Sequence, residues 1–465
     1  MNNIIKSILL VGLLIFSACE SLEEINIDPT RPTDVELSLI LPGTITQTIF
    51  NQGAEPPRVA GIIMQQFEGF DAQQVAYTDY VLPDVTFNNY WRTGLYAGSL
   101  RSAQLMIDKA AVENAPHYAG IAKILLAIGY ADATSYFGDI PFSDALQGLD
   151  NLKPSYDTQE QIYSNVQSLL DEAMSDLSQD GGLITPGSDD LIYRGDTAAW
   201  IATAQALKAR YLMQTIKRNP SAATTILDII RNSAFQSTDA QPELTWGTAQ
   251  TDNNPLAKFG TERPNTLIID SRFAAKMEAA NDPRQSAYMK SSGDDYLYFD
   301  DGNDGILYWA QNNSTIPLIS LEELQFIEAE LELMAGNDDA AKTALLAAVT
   351  TNMAHLGIDD GTDYITALDE DYDAASNKHE TIISEAYTAY YGQAFHQSWA
   401  NYRRTGYPSL TPSPTGDNGL NPGGAIPKRY IYPISESETN ADNLKAAIDN
   451  QGGSALMNVA LWAFQ

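Results

Sequence analysis

Apolar residues recur along much of this chain at the three- and four-residue spacing of a helix face. Ile121, Ile124, Leu125 and Ile128 form one such stripe. Thr158 and Gln161 read as a capping box ahead of a second, with Ile162, Val166, Leu169, Leu170, Ala173 and Leu177 as its apolar face. Asp196 is placed to cap a third helix, running through Leu207 and Leu212 and stopping at Asn219-Pro220. Ser320 and Glu323 form another capping box, opening a helix whose face is Leu324, Ile327, Leu331 and Met334 and whose end is Gly336. The next helix is predicted from Asn337 to Gly357, so the short Gly336-Asn337 link closes a helical hairpin. A further long helix is predicted over roughly 381–401. Between these segments lie three stretches rich in Gly, Pro, Asn and Asp, at roughly 41–88, 234–316 and 407–437, which predict long loops of the kind that carry binding. The expected fold is mainly α: TPR-like helical pairs in one domain, with large irregular loop insertions and little β structure. The chain shows no clean 34-residue period, so the TPR-like reading rests on the helix pairs.

Charge narrows the partners. The 27 Lys+Arg stand against 60 Asp+Glu, a formal net charge of −33. Nucleic acids are bound chiefly through basic residues on phosphates, so this balance excludes them, and it disfavours anionic lipid surfaces. It is compatible with solubility alone and, as a functional reading, with neutral or cationic ligands. The four histidines, His117, His355, His379 and His396, are scattered, and His379-Glu380 lacks the second His of a zinc-protease helix. No nucleophile elbow or phosphate loop occurs, and among 60 acidic residues a glycosidase-like carboxylate pair would arise by chance, so no enzyme is expected.

The single cysteine, Cys19, closes a recognisable order. Lys6 precedes a short apolar run, Ile8 to Phe16, too short to span a bilayer, and Ser17 and Ala18 follow. This resembles a lipoprotein box, with Phe16 where that pattern prefers Leu. It implies a signal peptide over 1–18 and an acylated Cys19 heading a tether over 19–40. Each buried CH₂ of an acyl chain adds about 0.8 kcal/mol, so more than one chain anchors stably. The acidic Glu20-Ser21-Leu22-Glu23-Glu24 that follows is similar to signals sending lipoproteins to the outer cell surface.

Several segments, in order, carry a family resemblance. They are Asn26-Ile27-Asp28-Pro29-Thr30-Arg31-Pro32, Tyr136-Phe137-Gly138-Asp139-Ile140-Pro141, the helix Tyr163 to Leu177, and Asn281-Asp282-Pro283-Arg284. Ser320 to Glu330 follows, then Trp399 to Pro408 (WANYRRTGYP), Pro427-Lys428-Arg429-Tyr430, Tyr432-Pro433, Glu436 and Asn440. Together they resemble the SusD/RagB family, in its SusD-like subgroup. The resemblance implies one helical, TPR-containing substrate-binding domain over 41–465. It also implies an outer-membrane lipoprotein, facing the cell exterior, that hands a nutrient to a SusC-like TonB-dependent barrel. The ligand expected is an oligosaccharide; peptides or another nutrient are the alternative.

Sugar recognition stacks aromatic faces on the apolar faces of sugar rings. The loop aromatics are therefore the candidate ligand residues: Phe70, Tyr77 and Tyr80 in the first loop, and Trp246, Tyr296, Tyr298, Tyr308 and Trp309 in the second. Trp91 and Trp399 are assigned to packing, and Arg403 and Arg404 to bracing the fold through carboxylates. Asp300 to Asp304 is an acidic turn with oxygen ligands for Ca²⁺, but its spacing does not fit an EF-hand, and no cofactor is expected.

Overall fold

A computed structural model describes residues 35–298 and 307–465. The expected signal peptide, Cys19 and the Asp300–Asp304 turn lie outside the described residues.

The described chain is mainly helical. The first stretch expected to be loop is instead mostly helix: α1 (Leu37–Gly53), α2 (Glu55–Ile63) and α3 (Gln73–Thr78). Leu37, Leu41, Ile45 and Ile49 make a buried stripe at four-residue spacing along α1. Pro42-Gly43 and the threonines mask it in the sequence. The Thr44, Thr46 and Thr48 hydroxyls turn back to donate to the carbonyls of Ile40, Pro42 and Thr44 at 2.8–2.9 Å, so their polar groups are satisfied within the helix.

A π-helix, Tyr90–Leu100, then runs directly into α4 (Arg101–Glu113). Helices α5 (Pro116–Phe137), α6 (Gln159–Leu177), α7 (Thr197–Gln214) and α8 (Ala223–Asn232) follow, each packed on its predecessor. The second irregular stretch holds three short helices, α9 (Pro255–Glu262), α10 (Ser271–Ala279) and α11 (Gln285–Tyr288). The C-terminal set is α12 (Leu321–Met334), α13 (Asp338–His355), α14 (Thr362–Ala374), α15 (Lys378–Ala389), α16 (Phe395–Thr405), α17 (Ile434–Thr439) and α18 (Ala441–Asn450). Among the described residues the strands form three two-stranded ribbons, three residues long: β1 (Phe67–Gly69) with β3 (Leu267–Ile269), β2 (Glu243–Thr245) with β6 (Thr315–Pro317), and β4 (Lys290–Ser292) with β5 (Asp295–Leu297), all antiparallel. The mainly α, TPR-like expectation is met.

The caps show where local sequence rules and tertiary demands diverge. Thr158 and Gln161 form the full box: Thr158 Oγ1 accepts from Gln161 N, and Thr158 N donates to Gln161 Oε1 at 2.9 Å. Asp196 accepts from Ala198 N and Ala199 N. At Ser320 only half the box forms. Its hydroxyl accepts from Glu323 N, but the Glu323 carboxylate is drawn away into a buried pair with Arg210, whose Nε and Nη2 each donate at 2.6 Å. The expected apolar face of α12 holds for Leu324, Ile327 and Leu331, while Met334 is 53 % exposed at the helix end.

The single helix expected over 381–401 is two. Helix α15 ends at Ala389 and α16 begins at Phe395. Between them Gly392 has φ +79°, and a Cβ there would lie 2.1 Å from Trp309 Cδ1. The break makes room for the Trp309 indole to enter from the loop, and no run of residues around it signals this.

The core has two parts. The larger cluster runs from α1 through α8 and back to α16 and the C-terminus; the smaller is enclosed by α12 to α15, around Phe326, Leu345, Val349, Tyr372, Ile382 and Tyr390. The segments that carry the family resemblance meet inside the larger one. Tyr430 N donates to Tyr136 O, Arg429 Nη2 to Phe137 O, Tyr432 OH to Asp139 O, and Trp399 Nε1 to Pro427 O. These residues tie the 136–141 corner, α16 and the 427–433 segment into one knot. Trp91 and Trp399 are buried, as expected. Arg404 pairs with the Glu330 carboxylate, but among the described residues Arg403 meets no carboxylate: it stacks between Trp399 (4.0 Å) and Phe464 (4.2 Å) and donates to the Ser135 carbonyl and hydroxyl.

Candidate functional site

A cleft of about 400 Å³ opens where α1, α2, the π-helix and α9 come together. Its wall from α1 carries Gln47, Phe50 and Asn51; from α2 come Glu55 and Arg58; Asn89, Tyr90, Thr93 and Gly94 come from the π-helix and the residue before it. Lys258, Phe259, Glu262 and Arg263 close it from the α9 side, and Gln73 opens α3 at its edge.

The wall is ordered by an amide relay. Gln47 Nε2 donates to Asn51 Oδ1 (2.9 Å), and Asn51 Nδ2 donates to Gly94 O (2.9 Å) and Ser99 Oγ (3.2 Å). A Cβ on Gly94 would stand 2.8 Å from Asn51 Oδ1, so glycine is what lets the π-helix approach α1 this closely. Wide helical turns of this kind recur at functional sites. Behind the wall, Trp246 packs edge-on to Phe50, with centroids 6.5 Å apart. Phe50 itself is 36 % exposed, leaving part of its ring to the cleft. Phe259 is covered on one face by the Arg58 guanidinium at 3.7 Å.

Burial shapes the cleft's charges. Desolvation raises the Glu55 carboxyl above its ordinary value despite the nearby Arg58 and Arg263. Desolvation lowers Arg58, and Glu55 only partly offsets this. Glu262 is engaged by Lys258 at 2.8 Å and by Arg263 at 3.5 Å.

A larger cavity, about 780 Å³, lies on the α13 side and is lined by Tyr193, Arg194, Asp239, Glu243 and His355 among others. His355 in its wall is already engaged: Nδ1 lies 3.3 Å from Glu322, and Tyr308 and Trp309 pack edge-on against the ring. The smaller cleft, with a partly open aromatic wall and side-chain amides, is the better place for a polar ligand with apolar faces.

The eight loop aromatics do not converge on one site. Phe70 is 53 % exposed at the end of β1, where its N–H donates to Thr266 O at 2.9 Å. Tyr77 is buried beneath the cleft within electrostatic reach of Glu55 and Arg58, and Tyr298 is buried beside Phe67. Tyr80 is buried and accepts from Ser413 N. Trp246 is buried behind Phe50. Half-buried Tyr296 donates to Glu278, and half-buried Tyr308 faces the larger cavity's His355. Trp309 is 1 % exposed and fills the notch at Gly392. Buried rings of this kind offer no face to a sugar and serve as packing under loops. Phe50, Arg58 and Phe259 escaped the sequence reading because nothing local marks them. They are brought together only when α1, α2 and α9 pack.

Among the described residues no group of three His, Cys, Asp or Glu is placed to hold a metal ion, and no helix is long and apolar enough to cross a membrane.

Known structures share this architecture. A SusD/RagB family protein from Bacteroides thetaiotaomicron superposes with a TM-score of 0.77 at 23 % identity, covering 92 % of this chain and 99 % of that one. A chitin-binding SusD homologue from Flavobacterium johnsoniae gives 0.77 at 20 % identity (91 % and 98 %), and a SusD homologue from Bacteroides fragilis 0.74 at 23 % (93 % and 100 %). No curated protein sequence matches the chain. The SusD-like family profile, described as starch-binding and associating with the outer membrane, matches residues 29–433. On that coverage the chain belongs to the SusD-like family of nutrient-binding outer-membrane proteins.

Proposed function

We propose that this protein is a cell-surface lipoprotein, anchored through Cys19, that captures an oligosaccharide and delivers it to a SusC-like TonB-dependent barrel. It performs no reaction on the ligand. The observation that carries this reading is the cleft itself, in a chain of this family: a partly exposed Phe50 ring beside an ordered row of amides suits the apolar faces and hydroxyls of a sugar. Support for a partner covering this side comes from the exposed Phe70, Val75, Val81 and Val85, which lie on the segment bordering the cleft and leave apolar area for a second protein to bury. Chitin binding by the Flavobacterium homologue supports a glycan over a peptide.

Binding of the purified protein to an oligosaccharide array, followed by calorimetry on the hits, tests the reading. Phe50→Ala is expected to weaken the best ligand about 10-fold, the scale of one lost ring contact. If peptides bind and no glycan does, or if Phe50→Ala leaves glycan affinity unchanged, the assignment of this cleft to sugars fails. Co-purification with a SusC-like barrel expressed in the same cells tests delivery.

A further inference from the structure

One residue in the cleft is not explained by packing. Arg58 is only 7 % exposed, yet its guanidinium makes no ion pair or hydrogen bond with any described residue, and its Nε is sealed from solvent without an acceptor. The other buried arginines are treated differently. Arg210 and Arg404 each meet a carboxylate, Arg284 meets two, and Arg403 and Arg429 donate to carbonyls. A buried cation is costly unless hydrogen-bonded, so an arginine left open beside a ligand cleft is an arginine completed by the ligand.

Its surroundings point the same way. Stacking on Phe259 at 3.7 Å fixes the plane of the guanidinium. Arg263 lies 5.5 Å from the same ring, and Lys258 is on the same wall. Three cations thus face the cleft against two carboxylates, Glu55 and Glu262, in a chain where acids outnumber bases 60 to 27. Glu262 is held by Lys258 and Arg263. The overall charge of −33 favours neutral or cationic ligands at a distance; inside the cleft the local balance is reversed.

We infer that the ligand carries an anionic group, a uronate carboxylate or a sulfate ester on the sugar, and that Arg58 is the residue that receives it, with Arg263 as a second cation. A planar guanidinium presents parallel N–H donors that match two oxygens of either group. This inference rests on the glycan-capture reading and specifies its substrate class.

The test is a matched array: neutral oligosaccharides, their uronate-bearing counterparts, carboxyl-reduced versions of the latter, and sulfated counterparts, with calorimetry on the hits at low and high salt. The expected result is at least 10-fold tighter binding of an acidic oligosaccharide than of its reduced or unsulfated match. That preference should weaken with salt and vanish in Arg58→Gln. Which acidic arm binds tells carboxylate from sulfate. Arg263→Gln, on a side chain about half exposed, should lose part of the preference without disturbing the fold, and it keeps the test decisive if Arg58→Gln melts early. Equal binding of neutral and acidic forms, unaffected by either variant, overturns the acidic assignment while sugar capture stands. An acidic preference that survives both variants also overturns the assigned role of Arg58. Binding of acidic peptides alone overturns both readings.

Discussion

Glu330 offers a quantitative test of how this fold is held. Its carboxylate sits on α12, sealed in the protein, with Arg404 from α16 donating to both oxygens (Nη2 to Oε2, 2.6 Å) and His379 from α15 placed 2.8 Å from Oε1. Desolvation pushes this carboxyl up, but the Arg404 charge and the hydrogen bonds from His379 and Arg404 together outweigh it and hold it at about 2, against an ordinary 4.5. A depression of that size corresponds to about 3 kcal/mol of stability in the ionised form. Because the folded value lies below the unfolded one, that stability is present above pH 4.5 and is lost as pH falls toward 2. Replacing Glu330 by Gln keeps the shape and leaves Arg404 buried without its counter-charge, which costs about 3–5 kcal/mol at neutral pH. Urea unfolding of the parent and Glu330→Gln proteins at pH 7 and at pH 3 measures this. The variant should unfold at markedly lower urea at pH 7, and the gap should narrow at pH 3 as the parent loses its advantage. A gap under 1 kcal/mol at pH 7, or one that does not change with pH, would refute the reasoning.

Other expectations follow from single contacts. Gly392→Ala forces a side chain onto Trp309 at a positive φ and should lower stability by roughly 1–3 kcal/mol, seen as a lower thermal midpoint with altered tryptophan emission. Glu323→Gln breaks the buried bidentate pair with Arg210 and should cost about 3–5 kcal/mol in chemical unfolding, whereas Ser320→Ala, which removes only a half-formed cap, should cost about 1 kcal/mol. Gly94→Val wedges a branched side chain between the π-helix and Asn51 and should weaken sugar binding in calorimetry more than it lowers the melting point. Cys19→Ser should move the protein from the membrane fraction to the soluble one, since a chain without acyl groups lacks their burial energy; retention in the membrane fraction would point to another anchor.

Much of this protein is legible in the sequence because it depends on neighbours three or four residues apart. The stripe from Ile121 to Ile128, the Thr158 box and the hairpin at Gly336 are local, and local periodicity and capping chemistry specify them. The resemblance carried by the 136–141, 399–408 and 427–433 segments was legible too, and the structure gives its physical basis. Those residues bond to one another in the core, so they mark the scaffold and say little about the ligand. What the tertiary structure alone decided involves partners far apart in the chain. Glu323 left its capping box because Arg210 reaches it across 113 positions, and the helix over 381–401 broke because Trp309 needed the space at Gly392. The candidate site is of the same kind. Loop position drew attention to eight aromatics, of which most became core, while Phe50, Arg58 and Phe259 came together from three helices with no common motif. Secondary structure is set by short-range backbone and side-chain preferences that can be read in sequence order. A cleft and the charge left open within it exist only after distant surfaces have packed.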